Sequence, residues 1–292
     1  MIGKFSIKDL EKLSGIKAHT LRIWEQRYGI LKPKRTDTNI RSYNNDELKL
    51  LLNITLLYNN GYKISKIAAY KKEEITDEVN KIVSTQINPC EQIDGLIIAM
   101  VEMDEQRFEK IISTNILQNG FNQTIENVIY PFLKKIGVMW QTGCVNPAQE
   151  HFISNLIRQK LIVAIDGQIV KENAESKKFV LFLPELELHE LSLLYFNYLL
   201  KSKGHNVTYL GQSVPMLDLQ KVIEIIRPDY LVSVITQPQE STEEYFNRLA
   251  KCFPKGRILI SGCQVVEKSI KTPKNISIFK NSDDLLSLLS NH

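Results

Sequence analysis

Cysteine is scarce in this chain of 292 residues, and the four present (Cys90, Cys144, Cys252 and Cys263) lie far apart. No two stand at the short spacing of a zinc site, and a disulfide scaffold needs a denser set, so reduced, partly buried thiols are expected. No apolar run reaches the roughly 18 residues that a membrane-spanning helix needs. The opening stretch, MIGKFSIKDLEKLSG, puts charged residues where a secretory leader has its apolar core. A cytoplasmic protein without a membrane partner is therefore expected. What remains is ordinary in bulk: 43% hydrophobic residues, enough for real cores, and 24% charged. The length suggests two or three domains.

The small net charge of +4 hides an uneven split. Residues 1–72 hold fifteen Lys or Arg against six Asp or Glu, whereas the rest holds 22 against 27. A basic head on an acidic body points to a nucleic-acid-binding module joined to something that need not touch nucleic acid. A solvated basic face is the plainer alternative.

The head has the periodicity of two short helices. Ile7, Leu10 and Leu13 have near-helical spacing behind Ser6, a natural N-cap, and Gly15 ends the run. A second helix is predicted from about Lys17 to Arg27, with Ala18, Leu21 and Trp24 on one face. Two helices joined by a glycine turn form a helix-turn-helix, whose second helix enters the major groove. Its polar face would offer Lys17, His19, Thr20, Arg22 and Arg27. The following KPKRTDTNIRSY reads as a two-stranded wing whose Lys34, Arg35, Arg41 and Tyr43 suit phosphates.

These residues carry a resemblance. The stretch LRIWEQRYGILKPKRTDTNIRSYNNDEL resembles the winged helix-turn-helix of the MerR family of bacterial transcription regulators. The likeness rests on Thr-Leu-Arg-x-Trp-Glu, then Tyr-Gly-Ile-Leu, Pro-x-Arg and Arg-x-Tyr, and continues through GYKISKI. It implies double-stranded promoter DNA as a partner and a DNA-binding domain over residues 1–75. Residues 71–89, charged and ending at Pro89, read as a frayed helix end and a linker.

From 90 to 172 the pattern is helical throughout, with starts at Asp104 and Asn146-Pro147, and predicts a four-helix bundle. Within it Trp140 ends one helix, and Glu150-His151 opens the next. An indole beside a Glu-His pair can cover a flat apolar ligand and hydrogen-bond its rim. A core tryptophan with a solvated Glu-His pair is the competing reading.

Residues 177–292 alternate strand and helix. Strands are predicted at Lys178–Pro184, Asn206–Leu210, Asp229–Thr236, Arg257–Ser261 and Asn275–Phe279. Helices are predicted at Glu190–Ser202, Met216–Arg227, Thr242–Cys252 and Ser282–Ser290. The fold class is thus multidomain, α and α/β: winged helix-turn-helix, four-helix bundle, then a flavodoxin-like five-stranded parallel sheet of order 2-1-3-4-5. Ligands in such sheets bind beyond the carboxyl ends of the strands at the switch point. His189 sits there, after the first strand, with Glu187 placed to fix its tautomer. It is a metal or cofactor ligand, or else a solvated loop histidine. Loops holding Ser233 to Gln237 and Gly262-Cys263 would wall the same crevice.

A bundle with Trp-x9-Glu-His, followed by a sheet with Glu-x-His after its first strand, resembles a cobalamin-binding module. With a MerR-type head, the arrangement resembles the CarH/LitR-type repressors, which use adenosylcobalamin as a light sensor. That resemblance implies a non-enzymatic, oligomeric photoreceptor-repressor whose cofactor clamps bundle to sheet in the dark and releases them in light. His189 would be the lower axial ligand of cobalt, with Glu187, Ser192, Ser233 and Gly262 around the cofactor, and Trp140, Glu150 and His151 on its adenosyl side.

Three positions depart from that pattern. Ser192 and Ser261 stand where the module usually has glycines that let backbone approach the nucleotide tail. Gln141 replaces a histidine that captures cobalt after photolysis in some relatives, a role that falls to His151 if anything takes it. Two other readings stay open: a MerR-type regulator with a degenerate pocket that answers a protein antagonist or another small ligand, and a cobalamin carrier for a methyltransferase or mutase.

Overall fold

The computed structural model describes residues 5–35, 40–85, 89–141, 145–169, 175–237, 241–266, 268 and 270–290, without the side chains at 80, 83–90 and 141. The chain forms two compact units, Met1–Leu156 and Ile157–His292.

Unit 1 begins with α1 (Ile7–Ser14), capped by a reciprocal box in which the Ser6 side chain accepts from the Asp9 amide and Asp9 accepts from the Ser6 amide. Gly15, at φ 72°, ends it in the left-handed region that glycine enters without strain. The second helix, α2 (Ala18–Tyr28), buries Leu21 and Trp24. The wing is an antiparallel ribbon of β1 (Lys34–Arg35) and β2 (Arg41–Ser42), and Phe5 bridges to Tyr43 beside it. Next come α3 (Asn45–Asn59), boxed by Asn44 and Glu47, and the short α4 (Ile64–Ile67).

The stretch expected to fray is instead a regular helix, α5 (Lys72–Thr85). Its charged residues hide a seam of Ile75, Val79 and Ile82, at one-turn and two-turn spacing, all buried. That seam packs against α3 and against the first bundle helices, α6 (Pro89–Glu102) and α7 (Glu105–Asn119). The third bundle helix is not uniform. It runs as α8 (Phe121–Thr124), a π-turn (Ile125–Ile129) and α9 (Tyr130–Gln141). Pro131 supplies the cause: it lacks the amide that Asn127 would accept from, and its ring crowds that carbonyl, so the turn widens. The fourth, α10 (Pro147–Asp166), starts where Asn146 Oδ1 accepts from the Gln149 amide at 3.0 Å.

Unit 2 carries the sheet. In chain order it comprises β3 (Lys178–Pro184), α11 (Leu191–Ser202), β4 (Asn206–Val214), α12 (Met216–Ile226), β5 (Tyr230–Val234), α13 (Thr242–Cys252), β6 (Arg257–Ser261), α14 (Cys263–Val266), β7 (Ile276–Ile278) and α15 (Ser282–Ser290). The strands are parallel in the order β4-β3-β5-β6-β7, the 2-1-3-4-5 arrangement expected. β3 and β5 read as continuous apolar runs because helices cover both faces of the sheet. Val180, Phe182, Leu231, Ile258 and Ile260 form one apolar layer with Leu219 of α12 and with Phe246 and Leu249 of α13.

The expected strand ending at Leu210 runs on to Val214. Gly211, at φ 80°, makes the bulge that lets it continue: the register with β3 shifts there instead of stopping. That extension places Gln212 and Ser213 beside the loop that follows β3.

Candidate functional site

The basic head presents two surfaces. On α2, His19, Arg22 and Arg27 are exposed and Thr20 is half-buried; Lys17, just before the helix, is exposed with its ammonium 3.3 Å from Glu11. On the wing, Lys34 and Arg35 are exposed. Arg41 is more tightly held: its Nε donates to both carboxylate oxygens of Glu25, at 3.0 and 3.2 Å. Tyr43 must be reassigned. Its ring is buried at 1% exposure, and its hydroxyl donates to Glu25 at 3.3 Å. Burial first, and the Glu25 charge second, push the phenol up to about 12. Glu25 thus gathers Arg41, Tyr43 and, at 3.9 Å, Arg35, and it fixes the wing against α2. Sequence reading missed Glu25 because a carboxylate in a basic stretch looks like a liability for DNA binding.

In unit 2 the loop after β3 is built around one buried carboxylate. Glu187 is 2% exposed. Its Oε1 meets His189 Nδ1 at 2.8 Å and accepts from the His189 amide at 3.1 Å. Its Oε2 accepts from the amides of Thr236 and Gln237 at 2.7 and 2.9 Å, and the Thr236 hydroxyl adds a further bond at 3.0 Å. Burial alone would raise this carboxyl. The bonds from His189 and from the Thr236 and Gln237 amides outweigh it and bring the pKa down to about 2. A charged Glu187 makes Nδ1 the donor of the imidazole, so Nε2 carries the lone pair that a metal would take.

The backbone around this anchor is also fixed. Leu186 lies at φ 68°, an uncommon conformation for a leucine, and its amide donates to Ser213 Oγ at 3.1 Å. The Ser213 amide donates to the Glu187 carbonyl at 3.2 Å, and Gln212 Nε2 to the Leu188 carbonyl at 2.6 Å. Leu186 and Leu188 are left exposed at 77% and 56%, two apolar side chains flanking the histidine.

The remaining crevice residues divide. Ser192 stands half-buried in the first turn of α11. Ser233 is not a loop residue as expected. It lies inside β5, paired in register with Phe182 and Ile260, fully buried, and its hydroxyl has no hydrogen-bond partner. A buried orphan hydroxyl at the end of a central strand is the kind of atom a bound group satisfies. Gly262, at φ 114°, is required by the protein itself: a Cβ there would stand 2.1 Å from the Ile235 carbonyl oxygen. Ser261 is buried at the end of β6, and its carbonyl accepts from the Ile235 amide at 2.8 Å.

In unit 1, Trp140 is 58% exposed at the end of α9, so it is no core tryptophan. His151 Nδ1 lies 2.8 Å from Glu150 Oε2, and the other Glu150 oxygen accepts from Ser154 at 2.7 Å. The Gln141 side chain and residues 142–144 lie outside the described residues. A cleft between α1 and α9, lined by Lys12, Leu13, Pro131, Val138 and Met139, holds no candidate residue. Among the described residues no cluster of three or more metal-ligating side chains occurs.

Comparison with known proteins finds family matches for the basic head and for the helical bundle. The family described as MerR HTH family regulatory protein matches residues 5–74, and the B12 binding domain matches residues 92–164. The chain is 27% identical over 260 residues to the HTH-type transcriptional repressor CarH of Myxococcus xanthus, covering 86% of each chain. It is 27% identical over 256 residues to the repressor CarA of the same organism, covering 85% of this chain and 83% of that one. Among solved structures, the monomethylamine corrinoid protein of Methanosarcina barkeri superposes with a TM-score of 0.57 at 15% identity, covering 70% of this chain and all of that one, a likeness of fold. No helix among the described residues is long and apolar enough to cross a membrane.

Proposed function

This chain joins a MerR-type DNA-binding head to a B12-binding domain, and from that premise we propose that it is a cytoplasmic transcriptional repressor controlled by adenosylcobalamin and light. The observation that carries the reading is the 2.8 Å bond between buried Glu187 and His189 Nδ1. It orients the imidazole at the switch point of a parallel sheet. The similarity to CarH and CarA, over 86% and 85% of this chain, supports the same assignment.

When bound, adenosylcobalamin supplies a cobalt–carbon bond that light can break. The chain's own residues would do the rest. His189 Nε2 would hold the cobalt, with the ring fixed by Glu187, while Leu186 and Leu188 would offer apolar contact beside it. Ser192 and the orphan hydroxyl of Ser233 would hold the nucleotide tail. The exposed indole of Trp140, with Glu150 and His151, would cover and hydrogen-bond the adenosyl group. The ligand would favour a dimer or tetramer that sets several basic heads on one operator, so disassembly alone would weaken DNA binding. We assign no reaction on a substrate, and hence no enzymatic activity.

A second reading, a MerR-type regulator that answers a protein antagonist or another small ligand, draws on Ser192 and on Ser261, which is packed in a buried place usually held by glycine. Incubation with adenosylcobalamin in the dark, desalting and a visible spectrum separate the two. The proposal expects retained colour, with a spectrum that changes in His189→Ala. A colourless unmutated protein would favour the second reading.

A further inference from the structure

Two carboxylates flank His189, and Glu187 bonds its imidazole. Glu190 turns elsewhere. Its Oε1 lies 2.8 Å from Arg158 Nε, and its Oε2 accepts from the Tyr209 hydroxyl at 2.9 Å. The Glu190 side chain is 16% exposed and that of Arg158 33%, so water screens this pair less than a surface ion pair. Burial first, and the Glu190 charge second, push the Tyr209 phenol up, which keeps it a donor. The Glu190 carbonyl meanwhile accepts from the Leu194 amide at 2.8 Å, closing the first turn of α11. One residue therefore ties three elements: α11 through its backbone, and β4 and α10 through its side chain.

Gly211 lies beside this arrangement, and its backbone conformation, not a lack of space, is what favours glycine there. A Cβ there would stand 3.4 Å from Tyr209 Cε1 and 4.0 Å from Glu190 Oε2, on a backbone at φ 80°. The partner helix is the informative one. α10 is continuous from Pro147 to Asp166, and Glu150 and His151 lie about two turns before Arg158 on it. The loop that positions His189 thus meets α10 at Arg158.

We propose that Arg158, Glu190 and Tyr209 form a coupling clamp that ties the His189 loop to α10, so that a shift of either moves the other. They are positioning residues of the switch and touch no cofactor. The regulatory consequence rests on the cobalamin reading given above; the mechanical link does not.

The test therefore has two arms on the full chain. In the first, amide hydrogen exchange is followed without cofactor in Glu190→Gln, Arg158→Met and the milder Tyr209→Phe. The clamp predicts about tenfold faster exchange at residues 158–166 and 186–191 together, with β5 and β6 unchanged. Unchanged exchange in α10 would overturn it. In the second, the proteins are loaded with adenosylcobalamin in the dark and eluted from a sizing column before and after green light. The clamp predicts that the variants keep their colour and the His189-dependent spectrum but lose at least half of the light-induced shift in elution. Variants with an undiminished shift would overturn it. If the unmutated protein takes up no cobalamin, the cofactor reading has failed, and the exchange arm alone decides the clamp.

Discussion

Glu25 and Glu187 do similar work in different places: each is a shielded carboxylate that gathers donors and fixes a neighbour proposed for recognition. Because Tyr43 spends its hydroxyl on Glu25 and its ring on the core, Tyr43→Phe should cost about 1 kcal/mol of stability, read by urea unfolding. It should leave the salt dependence of DNA binding unchanged. Lys34→Ala, an exposed wing residue, should do the reverse: stability intact, and the slope of log K against log salt reduced by about 1. For Glu187 the sign follows from its lowered pKa. The stability it contributes is complete above its ordinary value near 4.5 and is lost as pH falls from there toward about 2. Unfolding free energy should therefore fall more steeply over that range in the unmutated protein than in Glu187→Gln. Equal slopes would show that the carboxylate is not held as described. The Glu187–His189 pair was legible in the sequence as Glu-x-His after an apolar run. Ser233, Glu190, Tyr209 and Arg158 acquire their meaning from strand register and from partners distant in sequence, which periodicity does not carry.

Helices and strands with strong period were legible nearly to the residue, and the exceptions share a physical cause. In α5, three buried apolar residues were outvoted by eleven others, many of them charged. Val79, fully buried in that seam, tests it: Val79→Ala should cost about 2 kcal/mol in a thermal or denaturant melt. A cost within 0.5 kcal/mol, the range usual for surface changes, would mean that α5 is not packed as described. Gly211 reads as a strand breaker yet makes a bulge, because a glycine's conformational freedom serves either purpose. Pro131 signals a helix interruption but not that a π-turn absorbs it. At Gly262 the sequence invites a cofactor explanation, and the structure supplies a backbone one. Gly262→Ala would drive a Cβ into the Ile235 carbonyl, and a loss of at least about 3 kcal/mol is expected whether or not a ligand binds.

Across the whole molecule, the uneven charge marks a division of labour. The basic residues of 1–72 belong to the part that matches a MerR-type regulator, and the acidic remainder includes residues 92–164, which match the B12 binding domain. Fold class was legible because each part announces itself by a different period, helical in the bundle and alternating strand and helix in the sheet. α10 runs through the division between the two compact units, with Leu156 in one and Ile157 in the other, and no break in composition marks the place. A regulator built this way is expected to show one behaviour above all. Protein loaded with adenosylcobalamin in the dark should be titrated onto a DNA fragment from upstream of its own gene, before and after green light, at fixed salt. The account predicts tight binding in the dark that weakens at least tenfold on illumination, with no change in His189→Ala. Equal affinity in dark and light, by a protein that retains its cobalamin, would contradict it.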